Sequence, residues 1–119
     1  MTIRACLARV SLSEVARDRA GILGESFDAS ERADLEDQPD RSVAGRLALK
    51  RALVDLWGIL APGVPAASRD FVLYRQASGA PGLRSAPGSV AASTLRVSIS
   101  HSPDLAVGLA VGSEPGDAP

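Results

Sequence analysis

Two stretches of this chain concentrate side chains that can do chemistry. The first, Ala44-Gly45-Arg46-Leu47-Ala48-Leu49-Lys50-Arg51-Ala52-Leu53, sets Arg46 and Lys50 four residues apart, so a helix would carry both cations on one face. The second, Val97-Ser98-Ile99-Ser100-His101-Ser102-Pro103-Asp104-Leu105-Ala106-Val107, reads as a strand, a tight turn at His101-Ser102, and a return strand. An imidazole, a hydroxyl and turn backbone N–H groups, met by guanidinium and ammonium groups, are suited to a phosphate. Between the two lies Ser78-Gly79-Ala80-Pro81, where a glycine and a proline can bring a stiff backbone close to a ligand. Each piece alone has a plainer reading. Arg46, Lys50 and Arg51 suit the solvated face of a helix, and His101 suits a strand end at the surface. Ser100-His101-Ser102 is not a nucleophile–base unit by adjacency, because strand neighbours point to opposite faces. No Gly-x-Ser-x-Gly elbow supports a hydrolase.

Composition narrows the classes. The chain has 119 residues, 45% hydrophobic and 23% charged, as expected for one globular domain with a real core. Thirteen Lys and Arg against 14 Asp and Glu give a net charge of −1. No bulk basic charge argues for nucleic acid, and no run of one sign argues for a membrane surface. Aromatic residues make up 3%, too few for base-stacking platforms. One histidine and one cysteine cannot supply the usual zinc set, and Cys6 alone cannot form an intrachain disulfide. No apolar run approaches a membrane span, and the first residues lack a signal-peptide core. A cytoplasmic protein is expected.

The positioning elements follow from periodicity. Ile3 to Val10 alternates like a strand. Ser11 with Glu14, and Asp28 with Glu31, have the capping-box spacing, so a helix is expected from Ser11 to about Leu23 and a second start at Asp28. The charged stretch from Glu31 to Arg41 is expected to be solvated. Ser42 to Leu60 is the strongest helix, its apolar residues three and four apart, and Pro62-Gly63 ends it. Phe71 to Tyr74 reads as a strand, Ser78 to Gly88 as turn and loop, Leu95 to Ser100 and Leu105 to Val111 as strands. The fold class expected is α+β, a small, mostly antiparallel sheet packed against one long helix. One domain is expected over 1–113, with a disordered tail at 114–119.

Together, and in this order, these motifs resemble the short, holo-acyl-carrier-protein synthase type of 4′-phosphopantetheinyl transferase. The family's helix motif runs roughly Ala-x-Arg-Phe-Ala-Ala-Lys-Glu-Ala-Phe and aligns with Ala44 to Leu53. Its late motif, Ser-x-(Ser/Thr)-His-(Ser/Thr) before an Ala-rich strand, aligns with Val97 to Ala110. Its Asn-Gly-Lys-Pro-like turn falls at Ser78-Gly79-Ala80-Pro81. The resemblance implies transfer of 4′-phosphopantetheine from coenzyme A to a serine of an acyl carrier protein, in fatty acid biosynthesis. It implies Arg46, Lys50, Gly79, Pro81, His101 and Ser102 as coenzyme A-binding residues, with Lys50, Arg51 and His101 as catalytic candidates. Arg46, Lys50, His101 and Ser102 are expected in one cleft. The resemblance also implies a homo-oligomer, a trimer before a dimer, with the site between subunits.

The same resemblance implies magnesium, and here the chain departs from the family. The family's metal is held by an aspartate on the first strand and by the glutamate after the motif lysine. Those positions carry Ala8 and Arg51, which offer no carboxylate. Asp55 stands where the family has a further lysine, and at one turn from Arg51 it is expected to pair with it. No metal ligand is assigned, and magnesium is expected to bind weakly or not at all. Three readings follow: a working transferase, a relative that binds coenzyme A or a carrier protein without catalysis, and a structural domain that has lost the ligand.

Overall fold

The computed structural model describes residues 2–87 and 95–113. Strand β1 (Ile3–Ser11) leads into helices α1 (Leu12–Arg17), α2 (Arg19–Ser26) and α3 (Ala29–Leu35), then the long α4 (Asp40–Leu60). A single 3-10 turn (Ser68–Asp70) precedes β2 (Val72–Arg75), β3 (Pro81–Ser85), β4 (Arg96–His101) and β5 (Leu105–Ser113). Among the described residues these strands form two antiparallel sheets, one ordered β1-β5-β4 and the other the β2-β3 hairpin. The α+β architecture matches the expectation. The tail expected at 114–119 lies outside the described residues.

Three details differ from the sequence reading. The single helix expected after Ser11 is two, broken at Asp18, whose carboxylate accepts the Gly21 N–H and restarts the helix as a new cap. Half of the segment expected as loop at 78–88 is strand β3, paired with β2 from Arg75↔Pro81 to Val72↔Ser85. A proline is tolerated there because it opens the strand. The stretch from Glu31 to Arg41 is not uniformly solvated, since Glu31 and Leu35 are both buried.

Helix α4 lies across the three-stranded sheet because β5 offers it almost no side chain. Ala106, Gly108, Ala110 and Gly112 alternate along β5 and are all buried. A Cβ on Gly108 would come within 2.3–2.5 Å of the Leu49 and Ala48 backbone, so this glycine sets the helix–sheet distance. One core cluster gathers Leu49, Leu53, Leu56, Trp57 and Leu60 with Phe71 and Leu73, where Trp57 meets Phe71 edge-on at 5.4 Å. A second gathers Val10, Val15, Phe27, Leu35, Val43 and Leu47. Arg19 braces the chain into α4, donating to Asp40 and to the Leu35 and Gln38 carbonyls at 2.7–2.8 Å.

Within this packing sits a fully buried ion pair. Lys50 Nζ donates to Glu31 Oε1 at 2.5 Å and to the Ser26 carbonyl at 2.7 Å, and lies 4.4 Å from the centre of the Phe27 ring. Glu31 completes the expected capping box, accepting the Asp28 N–H while Asp28 accepts the Glu31 N–H. Its other oxygen accepts the Leu73 N–H of β2 at 3.0 Å. One carboxylate thus ties α3, α4 and the second sheet. Burial pulls the Lys50 pKa down, against the upward pull of Glu31.

Removing one buried partner strands the other's charge, so Lys50→Met should cost about 3–5 kcal/mol. Lys50→Met combined with Glu31→Gln should cost clearly less than Lys50→Met alone. Urea unfolding of these two variants and of Glu31→Gln alone tests this; an additive pair of losses would contradict it.

Candidate functional site

A cleft of about 760 Å³ opens between the N-terminal half of α4, the β2–β3 hairpin and β4. Ser42, Gly45 and Arg46 line it from the helix, Tyr74, Arg75, Gly79, Pro81 and Arg84 from the hairpin, and Ser98 and His101 from β4. Three arginines and a histidine therefore face one carboxylate, Asp34. The Arg46 side chain carries a buried Nη1 that has no hydrogen-bond partner among the described residues. Arg84 lies over the Tyr74 ring, 5.5 Å from its centre.

Local structure sets each wall. Gly79 turns the hairpin at φ +90°, a conformation costly for residues with a Cβ; the turn is closed by Gln76 N–H to Ala80 O and Gly79 N–H to Gln76 O. The Tyr74 ring lies directly against Gly82, where a Cβ would be 2.6 Å from it. His101 reaches the helix: its Nε2 is 3.2 Å from the Arg41 carbonyl, and a Cβ on Gly45 would be 2.6 Å from the same nitrogen. The space beside the helix glycine is thus filled by the imidazole and by the Ile99 Cγ2, which a Cβ would meet at 2.8 Å.

Of the residues singled out from sequence, Arg46, Gly79, Pro81 and His101 line this cleft. Lys50 does not; it is spent in the core on Glu31, Ser26 and the Phe27 ring, because at 0% exposure its charge needs an internal partner. Ser102 does not line it either: its N–H donates to the Leu105 carbonyl and its hydroxyl stays over the Ser102–Leu105 turn. Arg75, Arg84, Tyr74 and Ser42 were missed. The signal for the two arginines was the alternation of β3 with β2, hidden by the glycines and prolines around it.

Arg51 lies outside the cleft, on the side of α4 turned to α1. Its Nη2 donates to Glu14 Oε2 at 2.5 Å and its Nη1 to Oε1 at 3.2 Å. It pairs with Glu14, not with Asp55 as the helix spacing suggested; Asp55 is exposed. The hydrogen-bonded guanidinium holds the Glu14 carboxyl below the usual carboxylate range, against a smaller upward push from burial. Ala8 is half-buried and packs against the core, and Arg51 fills the second position, so the residues where the resemblance places magnesium do not fit that ion. Among the described residues no three His, Cys, Asp or Glu side chains gather into a metal site.

The outer face of the three-stranded sheet carries an open apolar patch on β1 and β5, flanked by Arg9 on β1 and by Arg96, Ser98 and Ser100 on β4. Period-two alternation puts Ile3, Ala5, Leu7, Val107, Leu109 and Val111 opposite the α4 side, with Leu7↔Leu109 and Ala5↔Val111 directly paired. Leu7 is 54% exposed and Ile3 63%. No helix of the described residues is long and apolar enough to cross a membrane.

No family model and no curated protein matches the sequence. Solved structures do. The Chronobacterium ammoniagenes ACPS–CoA complex superposes with a TM-score of 0.75 at 22% identity, over 93% of this chain and 96% of that one. The acyl carrier protein synthase of Mycobacterium tuberculosis gives 0.69 at 26% identity, over 93% and 96%. The holo-(acyl-carrier-protein) synthase of Bacillus anthracis in complex with CoA (3′,5′-ADP) gives 0.72 at 20% identity, over 92% and 96%. With nearly the whole chain covered on both sides, this protein takes the holo-acyl-carrier-protein synthase form of the 4′-phosphopantetheinyl transferase fold.

Proposed function

We propose that this chain binds coenzyme A in the arginine-lined cleft and passes its 4′-phosphopantetheine to a serine of an acyl carrier protein. The observation that carries the reading is Arg46, whose buried Nη1 lacks a partner in a cleft shared with Arg75, Arg84 and His101. Burying an unpaired guanidinium donor is costly, and a phosphate of the ligand would satisfy it in the planar geometry that arginine favours. In the transfer, the serine oxygen forms a bond to the β-phosphorus of coenzyme A while the bond to 3′,5′-ADP breaks. The serine proton passes to His101, the imidazole within the cleft. Coenzyme A-bound relatives of the same fold support this reading.

A second reading, binding without turnover, is favoured by one observation: Ala8 and the Arg51–Glu14 pair stand at the metal positions implied by the family resemblance. Calorimetry with coenzyme A, followed by mass spectrometry of an added apo-carrier protein, separates the two.

The assembly belongs to the same proposal. Arg46 and Arg51 are five residues apart, about 140° around the helix, so a site shared between neighbouring copies would bring both to one ligand. The open apolar face of β1 and β5 is the surface that a homo-oligomer, a trimer before a dimer, would cover.

Arg46→Met and Arg84→Met should each weaken coenzyme A binding about tenfold or more, the usual cost of a lost charged hydrogen bond. Gly45→Ala should do the same with little loss of helix, by pushing His101 out of the cleft. Unchanged dissociation constants in all three variants would defeat the placement of the ligand. Light scattering should give a trimer mass, and Leu7→Glu should give a monomer; a wild-type monomer at micromolar concentration would defeat the assembly.

A further inference from the structure

We infer that Arg51, clamped by Glu14, is a resident cation that makes phosphate binding by this chain independent of divalent metal. The inference rests on the coenzyme A reading and the shared-site assembly above, because Arg51 lies outside the cleft of its own chain, and on this chain's own side chains for the charge.

The geometry is that of a built fork. Both Glu14 oxygens accept from the two terminal nitrogens of Arg51. Glu14 is itself fixed at the β1–α1 junction, where its N–H donates to Ser11 Oγ at 3.2 Å. The pair therefore ties together the end of β1, the first turn of α1 and the middle of α4. Two of the five guanidinium N–H donors are used, which leaves three for a phosphate oxygen. The side chain is 41% exposed, so part of the guanidinium side chain meets solvent.

Charge counting shows why a metal is not needed. A divalent ion held by two carboxylates sums to zero before the phosphate arrives. A guanidinium held by one carboxylate sums to zero as well. In both cases an anionic ligand meets the exposed side of a cation whose back is neutralised. Arginine keeps its charge at any working pH and matches phosphate geometry through paired donors. It also opposes a metal in the same place, because a divalent ion would meet the fixed charge of Arg51. Asp55, one turn further along α4, is exposed and is not part of the fork.

The test is calorimetric titration of coenzyme A, and separately of inorganic pyrophosphate, into the full-length protein in EDTA and in magnesium chloride. Wild type should bind with dissociation constants within about threefold in the two buffers. Arg51→Met should weaken binding in EDTA about tenfold or more, and Arg51→Lys, which keeps the charge but not the fork, should recover part of that loss. Thermal melts of each variant confirm that it is folded. Wild-type binding that needs magnesium overturns the inference. So does Arg51→Met with wild-type affinity while Arg46→Met is impaired, and that outcome leaves the coenzyme A reading standing. Pyrophosphate bound through Arg51 without any coenzyme A binding does the reverse: it sinks the coenzyme A reading and keeps this one.

Discussion

The close seating of α4 on β5 is the constraint from which the rest of the structure follows. Alanine and glycine alternate along the helix-facing side of that strand, and at Gly108 the helix backbone occupies the volume a side chain would need. Helix and sheet then meet backbone to backbone over Ala48 and Leu49. That single approach decides where everything else on α4 can go. Gly45 comes beside His101, Arg46 points into the cleft, and Arg51 reaches α1. A bulkier strand would lift the helix and separate these residues together.

The second sheet is held to the first by chemistry more than by strand pairing. Among the described residues, β2 and β3 make a hairpin whose strands pair only with each other. Its position against the helices rests on Phe71 and Leu73 in the core and on Glu31, which accepts the Leu73 N–H. Lys50, one turn after Arg46, neutralises that carboxylate. The cost of burying two ions is met by full satisfaction: Glu31 accepts from Lys50, Asp28 and Leu73, and Lys50 also donates to Ser26. The conspicuous cation of the helix motif is thus an organiser of the cleft's wall, and the basic side chains that line the cleft are arginines and His101.

How much of this was legible in the sequence depended on the range of the interaction. Elements built from local pattern could be read: the alternation of β4 and β5, the apolar spacing of α4, and the Asp28–Glu31 capping box. The β4–β5 turn placed His101 correctly at a strand end because a tight turn is a local event. β3 escaped because Pro81 and Gly82 are loop residues by composition. Only the structure shows that the proline opens the strand and that the glycine makes room for Tyr74. Arg84 and Arg75 escaped with it. The roles of Lys50 and Arg51 were not legible at all, since their partners lie 19 and 37 residues away, and a glutamate on a charged stretch gives no hint that it is buried.

The contrast between the two motif cations shows what burial does to a charge. Lys50 and Arg51 are adjacent in sequence and each pairs with one glutamate. Lys50 is sealed at 0% exposure, where its ammonium donates to Glu31 and Ser26 beside the Phe27 ring and the lowered pKa records the loss of water. Arg51 keeps part of its surface, and its hydrogen bonds hold the Glu14 carboxyl below the usual carboxylate range. Helix geometry forces the difference: a step of 100° turns one residue into the core and the next toward the rim. The rim position therefore leaves a paired cation at the surface, while the buried position beside it holds the fold together.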